Sequence, residues 1–558
     1  MKALLRAALL LSATLAACAP AAIDSAPAPA DVVITGTVWT GVPDAALAEA
    51  VAIRGDRIAA VGRAADVRAL IGPDTRVIEA GDGLVVPGFI DTHVHFLEGG
   101  FRLASVQLRD AKSPAEFTAR IAAFARTVPA GTWITGGDWD HQNWGGELPR
   151  REWIDSVTPN HPVFVNRLDG HMALANSGAL AVAGVTRATA EVAGGEIVRA
   201  ADGEPAGVLK DNAMSLVGRV EPAPTAAMLD RALEAAMRHV AEQGVTSVHN
   251  VGGWSDLATF ERARRANALR TRIYAAVPLD TWERLRDTIS ARGGSRGDEW
   301  VRIGALKGFV DGSLGSKTAA FHDDFVDSPG NKGLLVNTEA DLYRWISGAD
   351  RAGLHLLVHA IGDRANALLL DLYARVLREN PGTTDRRFRI EHAQHLAPAD
   401  IPRFRALGVI AAMQPYHAID DGRWAETLIG PERARGTYAF RSLLDAGARV
   451  TFGSDWFVAP PTPLDGIYGA VTRRTLDDAN PDGWVPQEKI TVEEALAAYT
   501  REAAYASFEE RLKGTIETGK LADLVVLDRN LLTIPPETIR DARVTHTLVG
   551  GTVAWERR

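Results

Sequence analysis

Pro87-Gly88-Phe89-Ile90-Asp91-Thr92-His93-Val94-His95-Phe96 reads as a short apolar strand that ends in two histidines. Side chains alternate faces along a strand, so His93 and His95 point the same way. Two imidazoles on one side of a strand end make half of a metal site. Asp91 shares that face and is placed to orient a ligand from behind. For a lone His-x-His, two ordinary hydrogen-bonded side chains are the competing reading. The residues downstream decide between them.

The chain has 558 residues, 46% hydrophobic and 23% charged, a globular composition long enough for a large core with accessory structure. Its formal charge of −9 gives no reason to expect a nucleic acid partner. At the N-terminus, Lys2 and Arg6 precede a short apolar run from Ala7 to Leu15, the layout of a secretory signal. That run is too short to span a membrane. Leu15-Ala16-Ala17-Cys18 then resembles the lipobox of bacterial lipoproteins, which implies a signal over 1–17 and lipid on Cys18. Cys18 is the only cysteine, so no internal disulfide can form. Residues 18–30 are rich in Ala and Pro and read as a flexible tether. The expected location is the cell envelope. Ala19 after the Cys points to the outer membrane, facing the periplasm, with the lipid anchor as the only membrane contact.

Residues 31–86 look like a small β unit, with Gly55-Asp56 as a hairpin signal between Ala50–Ile53 and Arg57–Val61. The C-terminal part, 508–558, repeats the strand pattern at Ala522–Leu527, Val544–Val549 and Gly551–Trp555. One β-sandwich built from both ends is expected. Between them, 87–507 alternates strand and helix signals. After the first strand come Val245–His249, Arg272–Val277, Val301–Val310, His355–His359, Arg387–His392, Val409–Gln414 and Arg449–Asp455. Helical patterns such as Ala226–Gln243 and Ala365–Glu379 lie between, and Val492–Ser507 follows. The expected fold is therefore α/β, a (β/α)₈ TIM barrel. Residues 97–224 are too long for a simple crossover and read as an insertion over the barrel mouth. They carry Trp133, Trp139, Trp144 and Trp153, a hint of an apolar substrate group or of packing.

The polar residues fall where such a barrel keeps its chemistry, at the C-terminal strand ends. Lys307 lies in the fourth strand, His359 ends the fifth, His392 the sixth and Asp455 the eighth. With His93 and His95, six donors from five strands would converge on one mouth. His249 and Asn250 end the second strand and should face the mouth as well.

Several motifs together resemble the amidohydrolase superfamily, specifically the amidohydrolase family 3 branch of YtcJ-like hydrolases. They are Pro-Gly-Phe-Ile-Asp-Thr-His-Val-His at 87–95, Asp-Gly-His-Met-Ala-Leu-Ala-Asn-Ser at 169–177 and Leu-Lys-Gly-Phe-Val-Asp-Gly-Ser-Leu-Gly-Ser at 306–316. His-Ala-Ile-Gly-Asp-Arg-Ala at 359–365, Arg-Ile-Glu-His-Ala-Gln at 389–394, Met-Gln-Pro at 413–415 and Gly-Ser-Asp-Trp at 453–456 complete the set. The resemblance implies a metal-dependent hydrolase. It implies metal ligation by His93, His95, Lys307, His359, His392 and Asp455.

Lys307 sits in an apolar strand, so desolvation should lower its pKa. A neutral amine can add CO₂, and the resemblance suggests a carbamate bridging two cations. A pair with Asp311 is the competing reading. Two divalent ions, zinc given the donor set, would activate water and polarise a substrate carbonyl. Asp455 would act as general acid and base. His171 and His417 are candidates to hold a polar substrate group, and Asp169, Gln414 and Arg364 to support the pocket. Where relatives carry Pro after Gly-Ser-Asp-Trp, this chain has Phe457, and Met172 follows His171. Both departures bear on pocket shape.

The leading expectation is hydrolysis of an amide-like, non-peptide C–N bond in a small molecule. Hydrolysis of a cyclic amide, amidine or ester is the alternative within the same chemistry. An idle anchored barrel with a binding or regulatory role is the alternative outside it, and it would be marked by a missing ligand. Self-association into a homo-oligomer is compatible with all three.

Overall fold

The structure is a computed structural model that describes residues 28–382 and 384–557. The expected signal, Cys18 and most of the tether lie outside the described residues.

Eight parallel strands follow one another in a single sheet. They are β1 (Phe89–Val94), β2 (Val245–Val251), β3 (Arg272–Pro278), β4 (Val301–Phe309), β5 (His355–Ala360), β6 (Arg389–His392), β7 (Ile410–Met413) and β8 (Arg449–Phe452). These are the expected segments with their ends slightly moved. Helices cover the outside and side chains fill the inside, so each strand is almost wholly buried. His355-Leu-Leu-Val-His-Ala, for example, is buried along its whole length. The barrel closes beyond the end of β8. Asp455 N donates to His93 O at 2.7 Å and His95 N to Trp456 O at 2.6 Å. Closure thereby sets Asp455 beside the two histidines of β1.

The helices follow their patterns. Ala226–Glu242 starts at Thr225, whose side chain accepts from Met228 N. It buries Leu233, Ala236, Met237 and Val240 on one face. Val492–Ser507, read as one helix, is two: Val492–Ala498 and Arg501–Ala506. Thr500 between them has φ −129° and ψ −92°, and Tyr499 O accepts from Ile90 N at the base of β1. A long-range hydrogen bond outweighs local helix preference there.

Strands from both ends of the chain build a second sheet, ordered Thr552–Glu556, Val544–Val549, Leu524–Leu527, Arg76–Pro87, Val32–Val38, Ala48–Arg54, Arg57–Gly62. It is one seven-stranded sheet curled on itself. Ile58 N donates to Lys520 O and Ala522 N to Asp56 O, and Ile34, Ile53, Ile58, Leu524 and Leu548 share one core. The Gly55-Asp56 hairpin is present. The strand Arg76–Pro87 escaped the sequence reading because Gly81-Asp82-Gly83 breaks its apolar pattern.

The insertion has its own five-stranded sheet, ordered Ile134–Trp139, Val163–Arg167, Met172–Ala175, Pro205–Asp211, Gly195–Arg199. Its tryptophans are packing residues. Trp139, Trp144 and Trp153 surround the Phe117 ring with centroids 5.7–6.4 Å away, and Trp133 packs in a neighbouring cluster. Met172 is likewise buried in this sheet, 1% exposed, and does not shape the pocket.

Candidate active site

All six expected donors meet at the C-terminal mouth of the barrel. Asp455 Oδ1 lies 3.3 Å from His95 Nε2 and 3.5 Å from His93 Nε2, and Asp455 Oδ2 lies 3.9 Å from His392 Nδ1. Lys307 Nζ lies 3.1 Å from His93 Nε2. The His359 and His392 rings are 4.5 Å apart, and the His93 and His392 rings 4.8 Å. Single donor atoms of His93, His95 and Asp455 lie within 4.8 Å of one another, as do those of His392, His417 and Asp455. His417 thus enters the cluster itself.

Three of the imidazoles have one nitrogen already committed. His93 Nδ1 meets the Glu391 carboxylate at 2.5 Å, His359 Nε2 meets Gly312 O at 3.0 Å, and His392 Nδ1 meets Gln414 Oε1 at 2.8 Å. Those partners can only accept, so each of these nitrogens carries the hydrogen. Burial pushes the three imidazoles below their ordinary range, most strongly at His93 and His392, so they are neutral. A neutral imidazole with one N–H donated has its lone pair on the other nitrogen. That is how metal-binding histidines are set in proteins, and the donor set fits divalent ions such as zinc.

Lys307 does not pair with Asp311. The Asp311 carboxylate instead accepts from the backbone N–H groups of Ala320, Ile361 and Gly362, holding the loops after β4 and β5. Burial lowers the Lys307 amine from 10.5 to about 8, against the opposing pull of Glu391 and Asp455. Burial alone would raise the Asp455 carboxyl. His93, His95 and His417 around it more than offset this and hold it well below the usual carboxylate range.

Asp91 does not orient an imidazole. It accepts from Ser454 N at 2.8 Å, Ser454 Oγ at 2.5 Å and His93 N at 3.3 Å, and so pins the turn that carries Asp455. Gln414 sits behind His392 as a support. Asp169 anchors Arg167, Ser313 and Ser316 beside the site. Burial would raise its carboxyl, but Arg167 and His171 bring it down to about 2. His171 Nδ1 lies 2.6 Å from Asp211 Oδ1. Burial works against its charge, yet Asp211, Asp169 and Asp311 raise its pKa above the ordinary value. Arg364 is absent from the lining of both site cavities, and its Nε is buried without a partner. His249 and Asn250 do not face the mouth. His249 Nδ1 meets Arg389 Nη1 inside the barrel, and Asn250 Oδ1 accepts from Phe96 N.

Two cavities open on the cluster. One, of about 490 Å³, reaches His93, His95 and Lys307 from a wall that includes Phe101, Met214 and Phe457. The other, of about 50 Å³, lies between His171, His417, Asp420 and Trp424. Phe457 stands 5.5 Å from the His95 ring, with the Arg102 guanidinium 4.5 Å over its own ring. Sequence reasoning missed Glu391, Arg389, Asp211 and the structural role of Asp311. One signal for the first pair was present. Arg389 and Glu391 are two apart in the strand Arg-Ile-Glu-His, hence on one face, and two buried opposite charges there need each other.

The sequence profile of the amidohydrolase family matches residues 76–554. "Protein LONG AFTER FAR-RED 3" of Arabidopsis thaliana is 40% identical over 537 residues, 94% of this chain and 91% of its own. "N-substituted formamide deformylase" of Arthrobacter pascens is 30% identical over 532 residues, 91% of this chain and 95% of its own. Among solved structures, an uncharacterized metal-dependent hydrolase from Pyrococcus horikoshii superposes with a TM-score of 0.72 at 26% identity. It covers 91% of this chain and 99% of its own.

Proposed function

Since the chain belongs to the amidohydrolase family, we propose that it is a metal-dependent hydrolase acting on an amide-like, non-peptide C–N bond. The observation that carries this is the convergence beside Asp455 of His93 and His392, buried imidazoles that are each already tied through one nitrogen to Glu391 and Gln414. His93, His95, Lys307, His359, His392 and Asp455 would hold up to two divalent ions, zinc in this reading. Bound there, the metal would supply activated water and a polarised carbonyl. Lys307 is the group for a carbamate. Its lowered pKa frees the amine, whose nitrogen adds CO₂ and releases a proton.

The side chains do the rest. Asp455 takes the proton of the attacking water and delivers it to the leaving nitrogen. In its charged form, which burial opposes and Asp211 favours, His171 would donate to the carbonyl oxygen. The larger cavity holds the bulkier side of the substrate against Phe101, Met214 and Phe457. The name of the Arthrobacter relative favours N-acyl amines with a short acyl group. Metal-loaded protein screened against N-acyl amines, N-acyl amino acids and cyclic amides should turn over the first class. Turnover of cyclic amides alone would replace this reading with its alternative. Inactivity on all classes by protein with full metal sites would favour the idle barrel.

The N-terminal pattern supports a location in the cell envelope, with Cys18 carrying the lipid anchor. Among the described residues no helix is long and apolar enough to cross a membrane.

A further inference from the structure

Glu391 is fully buried, and so is the His93 imidazole that it meets at 2.5 Å. The contact spans 298 positions of sequence and exists only because β1 and β6 face each other across the closed barrel. Glu391 is itself held. Arg389, also fully buried, brings Nε to 2.8 Å from Glu391 Oε1 and donates from Nη2 to Oε2 at 3.0 Å. Arg389 Nη2 further donates to Thr92 O at 2.7 Å, and Nη1 meets His249 Nδ1 at 2.9 Å. The guanidinium therefore ties β1, β2 and β6 together directly beneath the histidine.

A buried carboxylate without a cation would be costly, and Arg389 supplies the charge on the spot. Glu391 Oε2 takes both hydrogen bonds, from Arg389 Nη2 and from His93 Nδ1, as an acceptor-only carboxylate oxygen does, while Oε1 meets Arg389 Nε only as an ion-pair contact. On the far side of the ring, His93 Nε2 faces Lys307 Nζ at 3.1 Å and Asp455 Oδ1 at 3.5 Å.

We propose that Glu391, clamped by Arg389, is a positioning residue that fixes His93 with its Nδ1 hydrogen directed outward and its Nε2 lone pair presented to the cluster. The inference rests on the metal-site reading only for its consequence, tighter metal binding. The tautomer itself belongs to the metal-free protein. In Glu391→Gln the amide must place an NH₂ against either Arg389 or the His93 Nδ1 hydrogen. The second choice turns the imidazole to its other tautomer.

Two measurements test this. Chelator competition should show zinc affinity lower by about 10- to 100-fold in Glu391→Gln than in native protein. Equal affinity in the two proteins overturns the proposal while leaving the metal site standing. Absence of zinc from the native protein would instead overturn the metal-site reading. The second measurement needs no folded variant at position 391. Ring-¹⁵N-histidine spectra of metal-free native protein, with the His93 signals identified by their loss in His93→Asn, should show the Nδ1-protonated form. The Nε2-protonated form there would refute the clamp whatever the binding data say.

Discussion

Lys307 Nζ and His93 Nε2 face each other at 3.1 Å, two basic groups in contact at the centre of the site. They cannot both be charged, and burial drives both toward neutrality. An amine brought down to about 8 donates to the neutral imidazole in the resting site and gives up its proton far more readily than an ordinary lysine when the site gains cations and a carbamate. Four predictions come from this geometry and from the sequence at the N-terminus.

Purified protein supplied with metal should hold up to two divalent ions per chain, with zinc preferred by a set of histidines and a carboxylate. Elemental analysis checks this directly. Removing the ions with a chelator should abolish turnover, and adding zinc back should restore it. A carefully supplemented preparation without bound metal would end the metal-site reading.

Lys307 should report on itself through pH. In metal-free protein its pKa is about 8 folded, against the ordinary 10.5. Between those values the unfolded chain keeps a proton that the folded chain releases. Stability contributed by this group should therefore rise with pH across that window, by on the order of 3 kcal/mol. Urea unfolding of native and Lys307→Met protein at both ends of the window measures the difference. Parallel pH slopes in the two would show that the amine is not perturbed. In the metal-bound protein, Lys307→Ala should lose metal first and activity as a consequence.

Asp455→Asn keeps the shape of the side chain but cannot exchange a proton at neutral pH. The fold and at least part of the metal content should survive. On a substrate that native protein turns over, kcat should fall by about 10²-fold or more, the scale for losing a positioned acid–base group. Near-full activity with both metals retained would remove Asp455 from the role of base.

Cys18→Ser should abolish incorporation of labelled lipid and release the protein from the membrane fraction. If native protein in its own host takes up no label, there is no lipid anchor.

The sequence by itself determined the barrel and the identity of its polar mouth. Parallel strands covered on both faces must be apolar runs, so His355–Ala360 and its fellows stand out, and polar residues at their ends have few other uses. The tertiary structure alone decided how those residues are held. Glu391 reaches His93 across the closed barrel, Gln414 reaches His392 from the end of the neighbouring barrel strand, and Asp211 reaches His171 through strand pairing within the insertion. Those contacts choose which nitrogen of each ring carries the hydrogen. No local pattern encodes that choice, because it depends on the acceptor that the fold delivers behind the ring. The tryptophans of the insertion make the same point from the other side. Their composition fitted a substrate pocket or packing equally, and contact with Phe117 put Trp139, Trp144 and Trp153 in a core. An apolar side chain is buried by whichever surface reaches it, and only the assembled chain settles which surface that is.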